Sequence, residues 1–291
     1  MLTPTLIVLA ALLALAVVSL WFPPLPAGAR RVPAWTIALG AVGVVALIAG
    51  AVTPVGIAVV LLLIALCAAR ERSTSPWLRV PAMAAIAFIA LALALHKIPG
   101  FYNPLIARDV ADGAAPITQY INLDKAIAGI VLIAFYGLPA RTRADWRAVG
   151  RAWPIVVATP VLVLGLALLT GVVEWAPKLP SSTGTFLASN LLITCVAEEA
   201  FFRALVQRGL QNSLSGKRYG VAVAIGVTSI VFGIAHLGGG VPMILLATLA
   251  GIGYGLALWR SGRIEAAILT HFVVNALRFL LVAGPVVVRA T

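Results

Sequence analysis

Apolar residues in this chain neither alternate nor keep to one helical face; they run on unbroken between prolines, glycines and charges. Ten such runs lie near 4–22, 34–51, 54–70, 80–98, 124–140, 153–173, 186–206, 219–237, 242–259 and 264–284. About 20 apolar residues at roughly 1.5 Å each match a hydrocarbon core of about 30 Å. The pattern therefore predicts an all-α fold, a polytopic transmembrane helix bundle of about ten spans. Several runs are short for a straight crossing, so one or two are expected to tilt or re-enter. Only Val52 and Thr53 separate the second run from the third, and Pro54 suits a first helical turn, where its missing N–H has no partner to lose. Residues 2–22 lack a basic leader and are followed by more spans, so they read as a first helix and not as a removed signal.

Composition agrees: 62% hydrophobic and 10% charged residues, with a mean hydropathy of +1.08, exclude an ordinary soluble domain. The net charge of +12 is not gathered into one tract, so it does not call for nucleic acid. It marks topology instead. Arg30 and Arg31 follow the first run; Arg70, Arg72 and Arg79 the third; Arg141, Arg143, Arg147 and Arg151 the fifth; Arg208, Lys217 and Arg218 the seventh; Arg260 and Arg263 the ninth. These alternate connections are expected to be cytoplasmic, with both termini outside. The opposite connections are poor in basic residues, apart from Lys97, Arg108, Lys125 and Lys178. The longest, 99–123, contains Asp109 and Asp112 and reads as an exterior loop with local turns. Cys67 and Cys195 sit in apolar runs and read as small buried side chains. Gly251, Gly253 and Gly255 read as helix-packing positions. No Walker loop, dinucleotide-binding glycine motif or HExxH is present. Residues 1–150 read as N-terminal transmembrane helices, and the polar chemistry is concentrated after residue 185.

That chemistry falls in three patterns. Glu198 and Glu199 stand side by side inside the seventh run, followed by Arg203. Neighbouring helical positions point about 100° apart, so the two carboxylates take different partners. Glu199 and Arg203, four apart, can pair along one face, leaving Glu198 to face a hydrated cavity. Phe232 and His236 share a face one turn apart, as do His271 and Asn275. His96, the third histidine, stands outside this group near the external interface. A glutamate and a histidine can activate water against a carbonyl, while a second histidine and an asparagine donate to the developing oxyanion. A zinc site built from His236, His271 and a glutamate uses the same inventory and remains the alternative; Asn275 is a poor zinc ligand but a good donor, which favours a site without cofactor. Counting from the charged ends puts His236 far from the depth of Glu198 and His271. Its helix must therefore tilt, begin later than Tyr219, or follow a dip of 207–218 into the membrane.

The ordered set Glu198-Glu199-x-x-x-Arg203, Phe232-x-x-x-His236 and His271-x-x-x-Asn275 resembles the three motifs of the CAAX prenyl endopeptidase and bacteriocin-processing family, the CPBP or Abi intramembrane glutamic proteases. The resemblance covers about 185–280. It implies a CAAX-protease-like catalytic core within 151–291, with Glu198 and His236 activating water, His271 and Asn275 at the oxyanion site, and Glu199 and Arg203 in support. It also implies a peptide or protein substrate that is prenylated or membrane-associated, cleaved near its C-terminus, in the inner (cell) membrane of a bacterium. Two other classes stay open. An ion or proton transporter would use the same charges but should show inverted repeats or broken helices in both halves, and neither is visible. A non-enzymatic immunity or scaffold protein could retain the constellation.

Overall fold

In the computed structural model, residues 3–27, 30–109 and 117–284 are described; Asp112 lies outside them. Each of the ten expected runs contains a helix. The first four are α1 (Pro4–Val18), α2 (Ala34–Ile48), α3 (Pro54–Arg72) and α4 (Pro76–Ala94). Next come α5 (Leu123–Leu132), which runs into a π turn at Ile133–Gly137, then α6 (Arg143–Gly150) and α7 (Trp153–Leu169). The seventh run is one continuous helix, Thr183–Ser213, in which α8 (Thr183–Ser189), α9 (Val196–Glu199) and α10 (Arg208–Ser213) are joined by π segments at Asn190–Cys195 and Ala200–Gln207. The bundle is completed by α11 (Gly220–Ile234), α12 (Gly240–Ser261) and α13 (Ile264–Leu281).

The expectation of about ten spans is corrected on length. Among the described residues seven helices are long and apolar enough to cross a membrane, while α2 and α11 are apolar but shorter. Glycine, a turn or an early cap stops these two. Helix α4 instead begins earlier than expected, with Pro76 in its first turn, and runs through Pro81, which gives up one bond of the helical ladder. The 99–123 connection is also more ordered than a loop: Leu105–Asp109 (β1) and Ile117–Tyr120 (β2) pair as antiparallel strands, too short and too mixed in composition to show an alternating pattern.

Outward faces carry bare apolar side chains, among them Leu61, Leu62, Val161 and Leu162, each at least half exposed. A belt of that kind needs hydrocarbon around it. Inside, one apolar cluster joins α1–α5 to the middle of the Thr183–Ser213 helix, and a second joins α7 to α11, α12 and α13. Gly251, Gly253 and Gly255 do pack closely: a Cβ on Gly253 would lie 2.3 Å from the Thr159 hydroxyl. Both cysteines are free and buried.

The connections expected on one side do gather at one end of the bundle. Arg208 donates to the carbonyls of Tyr136 (3.3 Å) and Gly262 (2.9 Å), and Arg263 donates to Leu138 and pairs with Asp145. Arg141 reaches the Leu20 carbonyl there. These guanidinium groups satisfy carbonyls that helix ends leave without partners. Buried Glu265 accepts from the Trp21 indole (2.5 Å) and from the Ala140 amide (2.6 Å), tying the first helix and the α5–α6 turn to α13. Replacing Glu265 by alanine strands that buried amide and is expected to cost about 1–3 kcal/mol, read as a lower melting temperature of the detergent-purified protein.

Candidate active site

The two glutamates open the site from α9. Glu199 is fully buried, and so is Arg203 one turn on, with Nε 3.1 Å from Glu199 Oε2. The expected pair is present, although its atoms are not aligned as a hydrogen bond. Arg203 completes its surroundings with the Gly251 carbonyl (3.2 Å) and with the rings of Phe232, Tyr254 and Phe202, 5.2–6.0 Å from its central carbon. A guanidinium tolerates such burial because its flat faces accept aromatic neighbours while its edge keeps the charge paired.

Glu199 has a second partner, His271 Nδ1 at 2.8 Å. A carboxylate only accepts, so this ring nitrogen carries the proton and Nε2 is turned the other way. Nε2 lies 3.8 Å from Glu198 Oε2. Tyr254 stacks on the imidazole with centroids 4.5 Å apart and planes within 14°, which fixes the ring's tilt. Just past the end of α11, His236 Nδ1 donates to the Phe232 carbonyl (2.8 Å), which leaves its Nε2 turned away from that carbonyl. Phe232 touches both histidines, at 4.6 Å and 5.7 Å between centroids.

Of the expected residues, Phe232, His236, His271 and Asn275 share the wall of one cavity of about 490 Å³, together with Tyr254 and Arg278. Its lining is otherwise mostly aliphatic. Arg278 stands near Lys178, which lies outside the helices; burial and then repulsion from Arg278 hold the Lys178 ammonium below the usual lysine range.

Glu198, expected to face a hydrated cavity, is not among the residues lining this one and is paired instead. Its Oε1 accepts from Lys125 Nζ at 2.7 Å, and 19% of its side chain remains accessible. Sequence reasoning placed Lys125 among basic exceptions in the connections; its position at the start of an apolar helix, opposite a site with two carboxylates and one arginine, was the missed signal. Asn190 was missed too. Its Oδ1 accepts from Asn275 Nδ2 (3.4 Å) and from Cys195 (3.2 Å), so it sets the direction of the Asn275 amide. No group of three or more His, Cys, Asp or Glu side chains is arranged to share a metal ion among the described residues.

The depth conflict at His236 is resolved by the ends of the helices. The Arg208–Gly262 bond sets the α12–α13 turn level with Arg208, roughly 8 Å inside Ser213, so the α10–α11 turn projects beyond it. Measured from that projecting turn, α11 rises about 22 Å to its end just before His236, and Glu198 lies about 22 Å along its own helix. His271, about 10 Å beyond the recessed start of α13, reaches a similar level.

Removing the guanidinium leaves Glu199 uncompensated in the core. Arg203→Met is expected to cost about 3–5 kcal/mol and to reduce the yield of monodisperse protein sharply, whereas Arg203→Lys should retain part of both. Thermal unfolding of the two variants in one detergent checks the ranking.

Residues 180–277 match the family described as type II CAAX prenyl endopeptidase, Rce1-like. Comparison with curated proteins found no match, and neither did comparison with solved structures. The matched segment contains Glu198, Glu199, Arg203, His236, His271 and Asn275, and over residues 180–277 the chain belongs to the CPBP/Abi family of Rce1-like CAAX proteases.

Proposed function

We propose that the chain is an intramembrane endopeptidase in which Glu198 activates water. The observation that carries this reading is the 3.8 Å gap between Glu198 Oε2 and His271 Nε2, beside a cavity that His236, His271 and Asn275 line together. The gap exceeds hydrogen-bond range, so these two groups are free to engage water or substrate. His236 supports the same role: with Nδ1 committed to a carbonyl, its neutral form presents an acceptor at Nε2.

Water attacks the scissile carbonyl as its proton passes to Glu198. The oxygen of the tetrahedral intermediate takes hydrogen bonds from Asn275 Nδ2 and from His271 Nε2. Donation from Nε2 requires the doubly protonated ring, for which Glu199 at Nδ1 is the counter-ion. As the C–N bond breaks, Glu198 returns the proton to the leaving amine. Aliphatic walls suit a membrane-associated peptide, with or without a prenyl group, and Arg278 suits a free C-terminal carboxylate on it.

In liposomes supplied with prenylated and unprenylated peptides, Glu198→Gln is expected to abolish turnover while the variant purifies as folded protein. Retained turnover would remove Glu198 from the role of base. Wild-type turnover should survive stringent chelation confirmed by elemental analysis; its loss, restored by zinc, would favour the metal reading. Arg278→Gln is expected to raise KM about tenfold or more for a peptide with a free C-terminal carboxylate and to leave KM for the corresponding amide within about twofold, consistent with loss of one charge-assisted contact.

A further inference from the structure

We propose that Lys125 is a positioning residue for the Glu198 carboxylate, supplied to the site by a helix outside the family match; the inference rests on the peptidase reading above. Its foundation is a charge balance. Glu198 and Glu199 are consecutive, and the matched segment brings one fixed cation to them, Arg203, which is committed to Glu199. The second cation arrives from α5, with Lys125 Nζ 2.7 Å from Glu198 Oε1. Two carboxylates then face two fixed cations, one each.

Geometry gives that cation a specific task. Glu198 stands between Lys125 on one side and His271 on the other. Without the ammonium, the carboxylate is free to swing onto His271 Nε2 and close the 3.8 Å gap into a direct ion pair. That pair would occupy the space the attacking water needs. With Oε1 held by Lys125, Oε2 remains outside hydrogen-bond range of the ring and available to water.

A merely structural role fits less well. Both partners are mostly buried, at 15% and 19% exposure, and a buried ion pair adds little net stability over apolar side chains of similar size, because taking both charges out of water offsets their attraction. Lys125 also sits in the first turn of α5, the helix end where a cation is disfavoured. The chain spends further interactions on fixing this end. Asp124, which is 1% exposed, meets His96 Nδ1 at 2.8 Å and accepts from Asn103 Nδ2 at 3.0 Å, while Asn103 Oδ1 accepts from the Leu123 amide at 2.8 Å. His96, expected to stand apart from the site, is thus two residues' contacts away from Glu198. The network offsets the unfavourable dipole with a carboxylate and locks the turn from which Lys125 extends.

Two measurements on the full-length protein test the inference. The first needs no turnover: reductive methylation with formaldehyde and cyanoborohydride, read by mass spectrometry, compares Lys125 in the wild type and in Glu198→Gln. Lys125 is expected to label at least about fivefold faster in Glu198→Gln, with Lys97, Lys178 and Lys217 unchanged as references. Equal labelling of Lys125 in both proteins overturns the inference whatever the activity. The second is peptide turnover in liposomes, where Lys125→Met is expected to lose about 100-fold or more in kcat with KM within about twofold, and Lys125→Arg to recover at least a tenth of the wild-type kcat. A folded Lys125→Met with unchanged kcat overturns the positioning role. If Lys125→Met does not fold, an inactive but well-folded Lys125→Arg whose KM for peptide has risen in step with the loss also counts against it. Intact labelling coupling with no wild-type turnover on any peptide rejects the peptidase reading and reduces Lys125 to half of an ion pair.

Discussion

A carboxylate carried into a bilayer must bring its counter-charge with it, and this bundle carries two on consecutive residues. Because neighbouring helical positions diverge, one cation cannot serve both. Glu199 is balanced from within its own helix by Arg203, and Glu198 is balanced from across the interface by Lys125. The remaining architecture of the site follows from this division. Arg203 requires an aromatic enclosure and a free carbonyl, which Phe232, Tyr254 and Gly251 provide, and the last of these needs a glycine so that α12 can approach. The same Phe232 and Tyr254 hold the two imidazoles, so the charge pair and the proposed reacting groups share one scaffold.

Helix ends matter as much as helix faces. Had every turn lain at one depth, His236 would be far from Glu198 and His271. Instead α11 is short, the turn before it projects, and Arg208 pins the α12–α13 turn inward. Guanidinium groups at that end occupy carbonyls in the turns after α1, α5 and α12. The basic residues that punctuate the sequence therefore have a second use beyond topology: they set the relative heights of the helices, and so the depth at which side chains meet.

The first half of the chain is part of this arrangement. Helix α5 packs against α9 and supplies Lys125, and Trp21 reaches Glu265 at the start of α13. The family match covers residues 180–277, yet the ionic environment of its first glutamate is completed by a residue more than 50 positions upstream. Such a dependence is natural in a membrane, where a matched core cannot rely on water to neutralise what it buries.

Hydrophobic run length alone established that the chain is a multi-helix membrane protein, because burial in lipid is read residue by residue. Local spacing also sufficed for the Glu199–Arg203 pair and the Phe232–His236 contact, since four residues make one turn whatever the tertiary fold. The 99–123 connection shows the limit of that reading: the paired strands β1 and β2 had no strong periodicity to reveal them. The partners of Glu198, Asn275 and His96 were equally hidden. Each lies on another helix, and the register between two apolar helices is decided by close packing and by hydrogen bonds at their ends, neither of which leaves a repeating mark in either sequence. Tertiary structure alone therefore decided that Lys125 and Glu198 meet, that His271 is held between two glutamates, and that the short α11 ends at the depth of the site.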